Sequence, residues 1–185
     1  MYSGAVLAGG ASRRFGEDKA LFLYRGKPLL LWVLESLGGA AERFLVANRP
    51  YEGFGVPVYP DLLPGADSLS GLHSALVHAR FPWVAVAATD LPFLTRAYWD
   101  FLYEKALASP HPVVAVHGPE GHPEPLMALY HKDCLPQVEG QIREGDFLLR
   151  RVMEVLGATC IPAEEVLARF GERLFLNANR KEELP

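Results

Sequence analysis

The chain has 185 residues, half of them hydrophobic, which is enough to bury a sizeable core and leads us to expect one domain over residues 1–185. Its formal charge of −4 gives no general attraction to nucleic acid or an anionic membrane, and no apolar run approaches the length that spans a bilayer, so a soluble, cytoplasmic protein is expected. The two cysteines, Cys134 and Cys160, form no C-x-x-C pair, so neither a disulfide framework nor a zinc site is indicated.

In chain order, the apolar runs Gly4–Leu7, Phe44–Ala47, Val56–Tyr59, Trp83–Ala88 and Val113–Val116 read as strands, each closed by Gly, Pro, Asn or Asp. Between them Pro28–Leu37, Leu69–Ala79 and Ala97–Leu107 have helical spacing. Pro28 suits a first helical turn, and Gly38-Gly39 reads as a stop. Trp83–Ala88 is apolar without alternation, as expected of a central strand covered on both faces. After Glu120, Pro125–Tyr130 reads as a strand, Leu135–Leu156 as a helix interrupted by Gly140 and Gly145, and Ala158–Ile161 as a short strand. This alternation predicts an α/β fold, a mostly parallel sheet flanked by helices.

Ligands of such sheets gather at the carboxyl ends of the strands, and the first strand delivers the segment AVLAGGASRRFGEDKALF to that edge. Gly9 and Gly10 let backbone N–H groups approach a base or an anion, because no Cβ intervenes. Residues 11–28 then carry Arg13, Arg14, Lys19, Arg25 and Lys27 against Glu17 and Asp18, a local basic patch on an acidic chain that suits a small anionic ligand. Neither familiar phosphate loop is present. The spacing from Gly10 to Gly16 is one residue too long for Walker A, and the adjacent Gly9-Gly10 pair breaks the dinucleotide fingerprint. A tight turn followed by a solvated basic loop stays open on these residues alone.

Leu7-Ala8-Gly9-Gly10-Ala11-Ser12-Arg13-Arg14-Phe15-Gly16, with Lys19 three positions on, resembles the L-A-G-G-x-S-x-R-M-G-x-x-K signature of molybdenum cofactor guanylyltransferases, the MobA family. Further matches follow in order along nearly the whole chain: Gly26-Lys27-Pro28-Leu29, Asp61, Leu69-Ser70-Gly71-Leu72, Thr89-Asp90-Leu91-Pro92-Phe93 and Phe175-Leu176-Asn177-Ala178-Asn179. Two departures stand out. Phe15 replaces the usual methionine, and Asp67-Ser68 stands where the family usually has Gly-Pro, which leaves the path of that loop open and puts a carboxylate where an anion could bind.

The resemblance implies a three-layer, Rossmann-like fold of the nucleotide-diphospho-sugar transferase kind, with nucleotide binding in the N-terminal half and pterin binding in the C-terminal half. It implies transfer of GMP from GTP to molybdopterin, with or without molybdenum, and release of pyrophosphate. Nucleotide contacts would come from Leu7, Ala8, Gly9, Gly10, Lys19, Asp61 and Asp90, catalysis from Arg14, Lys19 and Asp90, and pterin contacts from Pro125, Asn177 and Asn179. Other proteins of cofactor biosynthesis or molybdoenzyme maturation are implied as partners.

Asp90 closes the central apolar strand, where a lone carboxylate is costly unless paired or bound to a metal. Mg²⁺ on Asp90, shared with the triphosphate, is the metal expected. The competing reading is a helix cap, although Thr95 is itself a good one. Asp61 is equally a turn residue before Pro64-Gly65, and Asn48 a turn residue before Arg49-Pro50. His73 and His78 are five apart on a predicted helix and read as surface or locally hydrogen-bonded, and the three tryptophans read as core. Two other classes remain: a cytidylyl or sugar-phosphate nucleotidyltransferase, whose loop usually carries L-A-A-G, and a non-catalytic nucleotide-binding module. A glycosyltransferase would usually show Asp-x-Asp where Thr89-Asp90-Leu91-Pro92 stands.

Overall fold

The computed structural model describes residues 1–9, 18–178 and 181–185. Its elements in chain order are β1 (Ser3–Leu7), a 3-10 turn (Lys19–Leu21), β2 (Leu23–Tyr24), β3 (Lys27–Pro28), α1 (Leu29–Ser36), β4 (Glu42–Val46), β5 (Val58–Tyr59), α2 (Ser68–His78) and β6 (Trp83–Ala88). There follow α3 (Arg96–Leu107), β7 (Val113–Val116), β8 (Met127–His131), α4 (Leu135–Glu144), α5 (Arg150–Leu156), β9 (Thr159–Ile161) and α6 (Ala163–Phe170). Seven strands form one sheet in the order β5-β4-β1-β6-β8-β7-β9. β5, β4, β1 and β6 pair in parallel, as do β7 and β9, and β8 runs antiparallel to both of its neighbours.

The unbroken apolar run of β6 is what a two-sided sheet requires. Val84 and Val86 point to one layer, with Leu69, Leu72 and Leu76 of α2 and Val138 of α4. Ala85 and Ala87 point to the other, with Leu30, Val33 and Leu34 of α1 and Trp99 and Leu102 of α3. Period-two alternation within a continuous apolar strand thus feeds two cores at once. Trp99 is fully buried, and its indole N–H donates to Ser36 Oγ at 3.1 Å. Trp32 and Trp83 are only half-buried.

Several local expectations need correction. Gly140 does not interrupt its helix: it lies inside α4 on open space, and only Gly145 stops the helix, with a φ of 77° and Asp146 N–H donating to Gln141 O at 2.9 Å. Pro28 precedes α1 as its N-terminal flanking residue. Of the two readings open to the histidines, His73 takes the hydrogen-bonded one, buried with Nε2 at 3.2 Å from Glu139 Oε1, while His78 stacks on Tyr59 with ring centres 3.9 Å apart. The two-residue hairpin β2-β3 and the helix α6 carried no expectation. Tyr24 of that hairpin forms a small third cluster with Leu29 and Ala178, against which Phe93 and Leu184 pack, so the C-terminal segment is held against the loop that follows β6.

Candidate active site

Strand register builds the site. Leu7 pairs with both Val46 and Ala88, and Val46 pairs with Tyr59, so β1, β4, β5 and β6 end level with one another. Two residues past each of those ends stand Gly9, Asn48, Asp61 and Asp90. All four line one cleft of about 460 Å³, together with Leu7, Lys19, Asp67, Ser68, Gly71 and Leu126. The residues come from distant parts of the chain, and the level sheet edge gathers them.

Lys19 reaches the cleft from the layer of α1. It opens the 3-10 turn, whose Ala20 is buried in that core. Asp18 fixes the turn: its Oδ1 accepts the N–H of Ala20 at 3.1 Å, and its Oδ2 accepts Tyr51 Oη at 2.8 Å and Arg49 Nη1 at 2.9 Å. Burial, and then the Asp18 carboxylate, push the Tyr51 phenol above its ordinary value, so it stays a donor throughout the working pH range.

Asn48 and Asp61 grip one another. Asn48 Nδ2 donates to Asp61 Oδ2 and the Asp61 N–H donates to Asn48 Oδ1, both at 2.9 Å. This ring closes the ends of β4 and β5 and replaces the separate turn roles open to both residues in sequence. The signal that could have found it is their equal offset past two adjacent strand ends.

Asp90 lines the opposite flank. It does not cap α3, because Thr95 Oγ1 accepts the N–H of Tyr98 at 3.1 Å and fills that role. Burial holds the Asp90 carboxyl above the usual carboxylate range, and the Lys19 ammonium pulls it back. Burial also lifts Glu124; Arg150 opposes that and Asp90 adds to it. An incompletely compensated carboxylate at a cleft is a donor suited to a hard cation. No group of three or more His, Cys, Asp or Glu able to hold a metal is present among the described residues.

The other expected site residues separate into three groups. Ala8 is buried and its N–H is already committed to Val46 O at 2.9 Å, so it does not line the cleft. Pro125 does not line it either; its carbonyl accepts Tyr130 Oη at 2.6 Å and its neighbour Leu126 forms the wall. Asn177 is exposed and outside the lining, yet the N–H of the next residue, Ala178, donates to Asp90 O at 2.8 Å, which ties this segment to the loop that follows β6. Gly10, Arg14 and Asn179 lie outside the described residues.

Residues 4–161 match the MobA-like NTP transferase domain. The chain belongs to this family. Among MobA-like relatives, a protein of Deinococcus radiodurans named probable molybdenum cofactor guanylyltransferase is 40% identical over 183 residues, covering 97% of this chain and 90% of that one. One of the same name from Pyrococcus furiosus is 34% identical and covers 100% and 95%. The crystal structure of molybdopterin-guanine dinucleotide biosynthesis protein A from Archaeoglobus fulgidus has a TM-score of 0.84 at 29% identity, covering 98% of this chain and 94% of that one. The MobA-like fold is therefore shared along nearly the whole length, and the Rossmann-like expectation holds.

Proposed function

We propose that the protein is a nucleotidyltransferase that moves GMP from GTP to the terminal phosphate of molybdopterin and releases pyrophosphate. The observation that carries this reading is the level sheet edge, which brings Gly9, Asn48, Asp61 and Asp90 to one cleft with Lys19. The names of its relatives point the same way.

In this reading the base and sugar lie over Gly9 and the Asn48–Asp61 ring, and the phosphates turn toward Lys19 and Asp90. A phosphate oxygen of the pterin attacks the α-phosphorus in line. The new P–O bond forms as the bond from that phosphorus to the bridging oxygen breaks, and pyrophosphate leaves with its electron pair. The nucleophile is already anionic, so no side-chain base is required. Lys19 supplies positive charge where negative charge builds, a contribution of a few kcal/mol for a well-aimed donor, about 2.7–4 in the best-studied case. Arg14 joins it by resemblance to the family signature. Asp90 would hold Mg²⁺, which neutralises triphosphate charge and aligns the reacting groups. Asn177, in the segment tied to the Asp90 loop, is assigned to the pterin, and Asn179 joins it by resemblance to the family signature.

Pyrophosphate release from GTP, with Mg²⁺ and molybdopterin present, tests the assignment. The wild type should release pyrophosphate with GTP and far less with CTP or ATP. Asp90→Asn should abolish release with an unchanged circular dichroism spectrum. Full turnover in that variant would discard the role of Asp90, and GTP binding without any turnover in the wild type would make the protein a binding module.

A further inference from the structure

The cleft contains a carboxylate that neither the fold nor the phosphates call for. Asp67 has φ 52° and ψ −130°, the conformation of the first central residue of a type II′ turn, which glycine normally supplies. The Leu69 N–H donates to Ala66 O at 3.1 Å and closes that turn. The loop is pinned from below: Ser70 Oγ accepts the N–H of Ala66 at 2.9 Å and Ser74 Oγ accepts the N–H of Leu62 at 2.8 Å. The family pattern has glycine here, and this chain keeps the glycine conformation while adding a side chain. Capping does not account for it, because the Asp67 side chain makes no cap hydrogen bond to α2.

Position limits what that carboxylate can meet. Asp67 and Ser68 enter the cleft from the layer of α2, and Lys19 enters from the layer of α1. Opposite charges thus face the ligand from opposite sides of the sheet edge. A carboxylate repels phosphate, so its side of the cleft suits the hydrogen-bond-donating end of the ligand. Two parallel donors match its two oxygens, the arrangement that makes charge-assisted pairs short and directional.

We infer that Asp67 is a specificity-determining residue whose carboxylate accepts the ring N–H and exocyclic NH₂ of a 2-amino-4-oxopyrimidine edge. Guanine carries that edge, and so does a pterin. Adenine and cytosine present an acceptor nitrogen at the corresponding ring position, which would leave two acceptors opposed. The inference rests on the nucleotidyl-transfer reading above.

Calorimetric titrations of wild type, Asp67→Asn and Asp67→Gly separate the possibilities. The paired probes are GTP with ITP, and pterin with lumazine; the second of each pair lacks the 2-amino donor. The wild type should prefer GTP to ITP by about tenfold or more, the size of one charge-assisted hydrogen bond. Both variants should bring that ratio toward one, and Asp67→Gly should bind ITP at least as well as the wild type. A pterin-to-lumazine ratio that collapses while the GTP-to-ITP ratio stands would support the same edge and identify the pterin as its source. Both ratios unchanged in both variants would overturn the inference. A wild type that binds no GTP at all would instead overturn the reading of the cleft. Asparagine tolerates positive φ, so Asp67→Asn keeps the test open even if the glycine variant fails to fold.

Discussion

Replacing Asp18 by alanine tests how the lysine of the cleft is held in place. The carboxylate makes three bonds, to the Ala20 N–H, to Tyr51 Oη and to Arg49 Nη1. Loss of the cap costs about 1 kcal/mol. The Tyr51 hydroxyl, on a residue only 6% exposed, is left without its acceptor, which costs a further ~1–3 kcal/mol. The Arg49 side chain is 59% exposed, so solvent screening reduces its share to about 0–1 kcal/mol. Together these give a loss of about 2–5 kcal/mol, or a fall in Tm of roughly 4–20 °C for a chain of this length. The functional effect follows from geometry, because the 3-10 turn that begins with Lys19 loses its anchor. A displacement of about 1 Å at a catalytic group costs up to ~100-fold, so kcat/KM for GTP should fall by roughly 10- to 100-fold. Pyrophosphate release measured well below the melting transition, beside a thermal melt, checks both figures. A variant that melts early yet turns over GTP like the wild type would refute the claim that Asp18 positions Lys19.

Gly71 lies in α2 against Leu7 on the cleft floor, and a Cβ built there meets Leu7 Cδ1 at 3.0 Å. Gly71→Ala gains about 1 kcal/mol of helix propensity but pushes Leu7 toward the ligand, so Tm should change little while the calorimetric Kd for GTP rises. At the far edge of the sheet, Glu42 Oε2 accepts Ser3 Oγ and the N–H of Arg80, both at 2.6 Å. Burial works to raise its carboxyl, but the Ser3 and Arg80 bonds outweigh that and leave it below its ordinary 4.5. A depressed folded-state value means that its stabilisation is present above the unfolded value and is lost as pH falls through the folded one. Urea denaturation of wild type and Glu42→Gln should therefore differ near pH 7, and the difference should shrink steadily as pH falls below the unfolded carboxylate value of about 4.3; a constant difference across that range would contradict the assignment.

The central strands were legible because a continuous apolar run such as Trp83–Ala88 fits only a sheet covered on both faces. The start of the third helix was legible because Thr95 is a strong cap. Gly145 could be read as a helix stop, but Gly140 could not be read as harmless, since its exposure depends on where α4 lies. The short hairpin Leu23–Pro28 has two residues in each strand, too few for any periodicity.

Residue chemistry by itself determined that Gly9, Asp61 and Asp90 follow strand ends, because each comes just after a run of apolar residues, and that Lys19 belongs to a local basic patch. Only the tertiary structure decided that these ends are level, that Asn48 and Asp61 bind each other, that Ala8 is already committed to the sheet, and that Asp67 holds a glycine's conformation. The physical reason is that register and loop path are set by long-range pairing between strands. A linear pattern fixes which face a side chain takes, but not which distant backbone it will stand beside.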